Sequence, residues 1–237
     1  MSEYLPELGR FSEDGRSYTI HSSHTPHGWT QFLYNNQYLV SLDVGGRGMS
    51  SYRRPGGLWT RLIFEGRMPR RIYLRDQEDG TIFYMPGSEG CEFTIGAALA
   101  QYKARFDGLE VTMSVSVPGD FLGEAWRVSV RNTGERPRKL LLTGFFPLTP
   151  TGYPTNFGYT GSIYIEYHEE LGGVFFDNHD PDRPDPLYNA YMIQDAPVQS
   201  FDTSSATFIG KGSIDEPDGR VLDHVGVVEW IRAVWIM

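Results

Sequence analysis

Leu109 to Val117 alternates apolar and polar residues for nine positions, directly after the Asp107-Gly108 turn. A period of two over that length means a strand with one face in a core and the other in water. The pattern returns at Ala125–Arg131, which ends in the turn Asn132-Thr133-Gly134-Glu135, and a shorter version at Thr81–Tyr84 follows Asp79-Gly80. The run Lys139–Phe146 reads as the hairpin partner of Ala125–Arg131. Ser162–Tyr167 and Gly173–Phe176 read as a second hairpin, and Tyr188–Ile193 and Ala206–Ile209 as further short strands. Thr30–Val40 is apolar enough for a helix, but Asn35-Asn36 inside it divides it into two strands about a turn.

No segment keeps a 3.6-residue period for three turns. The 27 glycines and 15 prolines are spread along the chain, the punctuation of many strands joined by turns. The expected fold is all-β: a large antiparallel two-sheet sandwich in one domain. The 14 Tyr, 14 Phe and 5 Trp suit such sheets as core filler and also suit sugar-stacking surfaces.

A net charge of −9 argues against nucleic acid or an anionic membrane as partner. No apolar run is long enough to span a bilayer, and the first residues lack the pattern of a secretory signal. Cys91 is the single cysteine, so neither an internal disulfide nor a cysteine zinc cluster is expected, and a cytoplasmic setting fits.

Candidate chemistry is sparse. His21, His24 and His27 recur at spacing three, but Pro26 and Gly28 oppose the helix that would align them, so they read as surface or turn residues and no metal is expected. Val44–Met49 is glycine-rich without the Lys-Ser/Thr of a phosphate loop, and reads as a bend where two backbones approach. Arg67, Arg70, Arg71 and Arg75 read as salt-bridged sheet surface, with phosphate or sugar contact as the alternative. Asp177, Asp180, Asp182 and Asp185 lie in a Pro-rich stretch that reads as a solvated loop. No Gly-x-Ser-x-Gly elbow occurs, Cys91 has no persuasive His context, and no catalytic residue is assigned.

Several segments, in order, resemble one family. Gly9-Arg10-Phe11 with Tyr18-Thr19-Ile20, Thr25-Pro26 to Trp29, Phe32 to Asn35, Val44 to Ser50 and Tyr73 to Asp76 carry the first half of the likeness. Leu109 to Pro118, Glu124 to Val128, Asn132 to Leu140, Thr155-Asn156-Phe157 and Phe201 to Gly210 carry the second. Together they look like the N-terminal domain of the disaccharide phosphorylases of glycoside hydrolase family 94, the cellobiose and chitobiose phosphorylase group, related to cyclic β-1,2-glucan synthase.

The resemblance implies a galactose-mutarotase-like supersandwich over residues 1–212. Residues 213–237 depart from the family and read as a divergent or truncated tail, whose unmet strand would leave an exposed edge. It implies further that catalysis belongs to an (α/α)₆ barrel absent from this chain. There an acid protonates the leaving oxygen of a β-linked glucoside while inorganic phosphate, a co-substrate rather than a cofactor, attacks with inversion. The domain's implied role is to cap that site and aid a homodimer, and to be inactive alone. Its implied substrate-binding residues are Asn156, Phe157 and Tyr159. Gly158 and Tyr159 stand where cellobiose phosphorylases carry glutamine and arginine, so cellobiose specificity does not carry over. Two alternatives stay open: a carbohydrate-binding module using Trp29, Trp59 or Tyr159, and an aldose-epimerase-like enzyme needing a convergent His and carboxylate.

Overall fold

The computed structural model describes residues 8–26, 28–54, 56–57, 59–63, 68–151, 162–179, 190–218 and 231–236. Strands in the first half are β1 (Gly9–Phe11), β2 (Ser17–Ile20), β3 (Thr30–Tyr34), β4 (Tyr38–Asp43), β5 (Ser50–Arg53), β6 (Trp59–Ile63), β7 (Arg71–Asp76), β8 (Ile82–Met85) and β9 (Glu92–Gly96). They continue as β10 (Leu99–Phe106), β11 (Leu109–Ser116), β12 (Ala125–Asn132), β13 (Leu140–Phe145), β14 (Leu148–Thr151), β15 (Ser162–His168), β16 (Gly173–His179), β17 (Ala190–Gln194) and β18 (Ile231–Ile236).

A ten-stranded sheet runs β1-β2-β9-β10-β11-β12-β18-β17-β16-β15, and forms one layer. The other layer holds a five-stranded sheet, β14-β6-β5-β4-β3, and a three-stranded sheet, β13-β7-β8. Every pairing is antiparallel. Period two decides which side chains meet between the layers. Leu109, Val111, Met113 and Val115 of β11 lie inward beside Trp126, Val128 and Val130 of β12, and they pack in one core with Tyr38, Val40 and Leu42 of β4 and Ile72 and Leu74 of β7.

Thr30–Val40 does divide about a turn. Asn35 Oδ1 accepts from the backbone N–H groups of Gln37 and Tyr38, which closes the β3–β4 hairpin. The β15–β16 hairpin also forms, across Glu169–Leu171 and the left-handed Gly172. The turn at Val44–Met49 is a close approach of backbones: Gly46 has φ 80°, and a Cβ there would stand 2.6 Å from the Arg70 carbonyl oxygen.

Three expectations need correction. Ala125–Arg131 and Lys139–Phe146 are not hairpin partners: β12 lies between β11 and β18, whereas β13 pairs with β7 in the opposite layer. The connection folds back on the β10–β11 turn, where Thr133 N–H donates to the Gly108 carbonyl (2.7 Å), and Arg138 then binds Asp76 at the end of β7. Ala206–Ile209 belongs to a one-turn helix, Ser205–Ile209, and not to a strand. Ser204 Oγ caps it by accepting from Thr207 N–H, and Phe208 packs against Phe145 and Tyr73, each 5.3 Å away between ring centroids. Finally, Ile231–Ile236 is not an unpaired edge. It is inserted between β12 and β17.

Candidate functional site

The segment containing Asn156, Phe157 and Tyr159 lies outside the described residues. Its two anchors are described. The chain leaves the five-stranded sheet at Thr151, the end of β14, and enters the ten-stranded sheet at Ser162, the start of β15. Among the described residues, β14 is an edge strand of the five-stranded sheet and β15 an edge strand of the ten-stranded sheet.

His27 also lies outside the described residues, as do Asp180, Asp182, Asp185 and Arg67. His21 sits just past β2, and its Nδ1 is 2.7 Å from Glu92 Oε1 on neighbouring β9. His24 is exposed and bonds within its own loop, to Ser23 Oγ. The structure thus does not bring these two histidines to one site, and among the described residues no three His, Cys, Asp or Glu side chains gather as a metal site. Burial pushes the Cys91 thiol up to about 11, which keeps it a buried thiol rather than a nucleophile.

The arginines expected on the surface are largely interior. Arg71 donates from Nη1 to the Pro86 carbonyl (2.7 Å), pairs through Nη2 with Asp215 (2.9 Å), and lies 4.3 Å from the centre of the Tyr84 ring. Arg70 is only 1% exposed. Its Nη2 donates to Ser50 Oγ at 2.6 Å and its Nη1 to the Ser41 carbonyl at 3.4 Å. Ser50 Oγ in turn donates to the carboxylate of Glu124, with both oxygens about equally near at 3.1 and 3.0 Å. Arg70 Nε is 3.8 Å from Glu124 Oε1, and its guanidinium lies 5.7 Å from the Trp126 ring centre.

That cluster joins three sheets at one point. Ser50 and Tyr38 belong to the five-stranded sheet, Arg70 immediately precedes β7 of the three-stranded sheet, and Glu124 immediately precedes β12 of the ten-stranded sheet, in which Trp126 lies. Burial pushes the Glu124 carboxyl above its ordinary value, against the pull of Arg70, Trp126 and Ser50. Burial likewise raises Tyr38, with the Glu124 charge adding to it. Glu124 carries no role in the sequence reading, yet a signal exists. It stands two residues before Trp126, so the inward phase of β12 extends back onto a carboxylate, which needs a buried cation.

The opposite face of the five-stranded sheet is exposed in part: Ser41 and Ser51 on it are buried, while several of its rings reach solvent. Phe32 and Tyr34 share a face of β3. The register through Leu39, Ser51 and Arg53 places Trp59 and Arg61 of β6 on that same face. Tyr34 is 72% and Trp59 42% exposed. Trp29 instead stacks on Tyr18, 5.5 Å between centroids, and is half-buried.

The architecture defines a large, nearly all-β sandwich of the supersandwich class. The sequence matches the supersandwich domain of glycosyl hydrolase 94 over residues 16–224, and the chain belongs to that family. Three phosphorylases are similar to it. Cellobionic acid phosphorylase of Neurospora crassa is 22% identical over 92% of this chain and 30% of its own length. The 3-O-beta-D-glucopyranosyl-beta-D-glucuronide phosphorylase of Paenibacillus borealis is 28% identical over 88% of this chain and 27% of its own. N,N'-diacetylchitobiose phosphorylase of Vibrio furnissii is 23% identical over 86% and 27%. The chain spans less than a third of the length of these relatives.

Proposed function

We propose that this chain is the supersandwich domain of an inverting phosphorylase acting on β-linked glucosides. The domain has no catalytic group of its own and works in the cytoplasm beside an (α/α)₆ barrel that carries the chemistry. In this reading the barrel's acid protonates the leaving oxygen, and inorganic phosphate attacks the anomeric carbon from the opposite side. The domain caps the barrel mouth, supplies Asn156, Phe157 and Tyr159 to the sugar, and helps to form a homodimer. The observation that carries the reading is the family match over residues 16–224, together with three phosphorylases that align along most of this chain. With Gly158 and Tyr159 in place of a glutamine and an arginine, a planar bidentate donor is lost and an aromatic face gained. The preferred sugar then differs from cellobiose.

A second reading, a carbohydrate-binding module, is favoured by the solvent-facing Phe32, Tyr34 and Trp59 on one sheet face. Such rings stack on the apolar faces of sugars while Arg53 and Arg61 beside them donate to hydroxyl groups. Calorimetric titration of the chain with β-linked disaccharides separates the two. The phosphorylase-domain reading expects no saturable binding at millimolar sugar, because the site is completed by the barrel. Saturable binding that Trp59→Ala abolishes would replace it with the module reading.

A further inference from the structure

We propose that the free edge of β3 is a seam at which two copies of this chain pair antiparallel, joining their five-stranded sheets into one; this rests on the homodimer of the proposed function and gives that dimer its interface. Among the described residues the strands that end a sheet are β1, β15, β13, β8, β14 and β3. β1 is three residues long and carries Arg10, β15 carries Glu166 and His168, and β14 has an irregular register. The side chains of β13 and β8 are all buried or half-buried. Edges that are short, charged, bulged or covered resist pairing with another chain. β3 has none of these guards. Thr30-Gln31-Phe32-Leu33-Tyr34 holds no charge, proline or glycine, and Thr30, Phe32 and Tyr34 are exposed.

The ladder decides which backbone groups face outward. Asn35 N–H donates to the Tyr38 carbonyl, so Asn35, Leu33 and Gln31 turn their backbone groups toward β4. Thr30, Phe32 and Tyr34 then point theirs away from it, an N–H and a C=O each along one edge. Among the described residues, Gln31 Nε2 reaches the Phe32 carbonyl at 3.4 Å, and a carbonyl has a second lone pair to offer. The strand is held in place from inside: Leu33 is buried, and Gln31 Nε2 also donates to the Gly96 carbonyl at 2.6 Å.

The segment is complementary to itself. A two-fold axis through Phe32 sets that residue opposite its own copy and sets Thr30 opposite Tyr34 of the partner subunit. Each of these opposed pairs exchanges both of its bonds, as hydrogen-bonded antiparallel pairs do. Such a two-fold interface brings like residues together at the axis, so a charged strand repels itself there. In a chain of net charge −9, a neutral edge suits its own copy. Rings add apolar cover. Phe32 and Tyr34 are 50% and 72% exposed. Asn35 Nδ2 donates to the Pro118 and Phe121 carbonyls, which brings exposed Phe121 and Leu122 to the end of the strand. Apolar surface beside an open edge marks a place of contact with another chain.

Sedimentation velocity of the native chain over a concentration series is the first test, and a monomer–dimer equilibrium is the expected result. Phe32→Lys sets two ammonium groups against each other at the axis. It is expected to weaken dimerisation about tenfold or more while keeping the circular dichroism of the native chain. A native dimer that Phe32→Lys leaves unchanged overturns the seam and leaves the homodimer with another interface. A native chain that stays monomeric overturns both, and is the outcome expected if the edge instead takes an extended segment of a different protein. Should Phe32→Lys not fold, cysteine cross-linking reads the register. Phe32→Cys should give an intermolecular disulfide under mild oxidation, since the Cα atoms of such a pair lie about 5.5 Å apart. Tyr34→Cys should not, because Thr30 of the partner subunit stands opposite it. Cys91 is buried and does not compete. Equal cross-linking at the two positions, or none at Phe32→Cys, overturns the proposal.

Discussion

Strand β7 has an arginine–carboxylate junction at each end, and the two are built differently. At its start, Arg70 and Glu124 are both sealed from solvent. They communicate mainly through Ser50, and the direct contact between them is long at 3.8 Å. At its end, fully buried Asp76 is met by Arg138 Nε at 2.5 Å. Arg138 Nη1 reaches on to Asp107 at 2.9 Å, and half-exposed Arg136 bridges Asp76 and Glu78 at 3.5 and 3.3 Å. The first junction is an island and the second a chain that leads out to water. Burying a charge is tolerable only when it is paired and its remaining hydrogen-bonding positions are met. The outer junction meets this with several alternative partners. Among the described residues the inner one offers Glu124 a single cation, Arg70, so it is the more fragile.

The largest expected effect follows from that lack of redundancy. Glu124→Ala leaves Arg70 charged and unpaired between three sheets, and should lower the unfolding free energy by about 3–5 kcal/mol in a urea titration. Replacing both partners with apolar residues, Arg70→Met with Glu124→Leu, should cost clearly less than the single change. If the double variant is no better, the two side chains do not act as a pair.

Arg138→Ala should be milder, about 1.5–3 kcal/mol, because Asp76 keeps Arg136 as a partner and can draw it inward. A loss equal to that of Glu124→Ala would erase the contrast between the junctions. Arg136→Ala should cost at most about 1 kcal/mol, since its side chain is half in water. That small cost should shrink further in 1 M salt, where surface pairs are screened.

The pH dependence gives the subtlest separation. Burial raises the folded Glu124 carboxyl above its unfolded value of 4.5. The fold therefore favours its protonated form, and the stability so gained is present below 4.5 and lost as pH rises through the folded value. Glu124→Gln removes this titration. The difference in stability between native and variant chains should then change with pH above 4.5 and level off once Glu124 is ionised. A difference that stays constant across that window contradicts the raised value.

How much of this could be read beforehand depends on the range of the interaction. The Leu109–Val117 alternation is local, and it sets the inward face of β11 correctly. The β3–β4 turn is equally local, fixed by the Asn35 side chain acting on its own hairpin. The route from β12 to β13 is not local. Turn residues at Asn132–Glu135 permit a hairpin, but Arg138 reaching Asp76 across the layers and β18 occupying the free side of β12 decide otherwise. Ala206–Ile209 is too short to show a period, and a single Ser204 cap with the Phe208 anchor makes it helical. The buried role of Glu124 is legible in the phase of β12, whereas its pairing with Arg70, brought from the opposite layer, is not. Asn156, Phe157 and Tyr159 stand out through family resemblance alone. The residue types by themselves carry no chemistry that would single them out.

As proposed, this domain works within a phosphorylase and holds none of its catalytic chemistry. The most direct measurement is phosphate-dependent release of a sugar 1-phosphate by this chain alone, from a panel of β-linked disaccharides that includes cellobionic acid, N,N'-diacetylchitobiose and a glucosyl-glucuronide. No release above the protein-free control is expected from any of them. Clear turnover that depends on phosphate would contradict it, and would place a catalytic site within the sandwich itself.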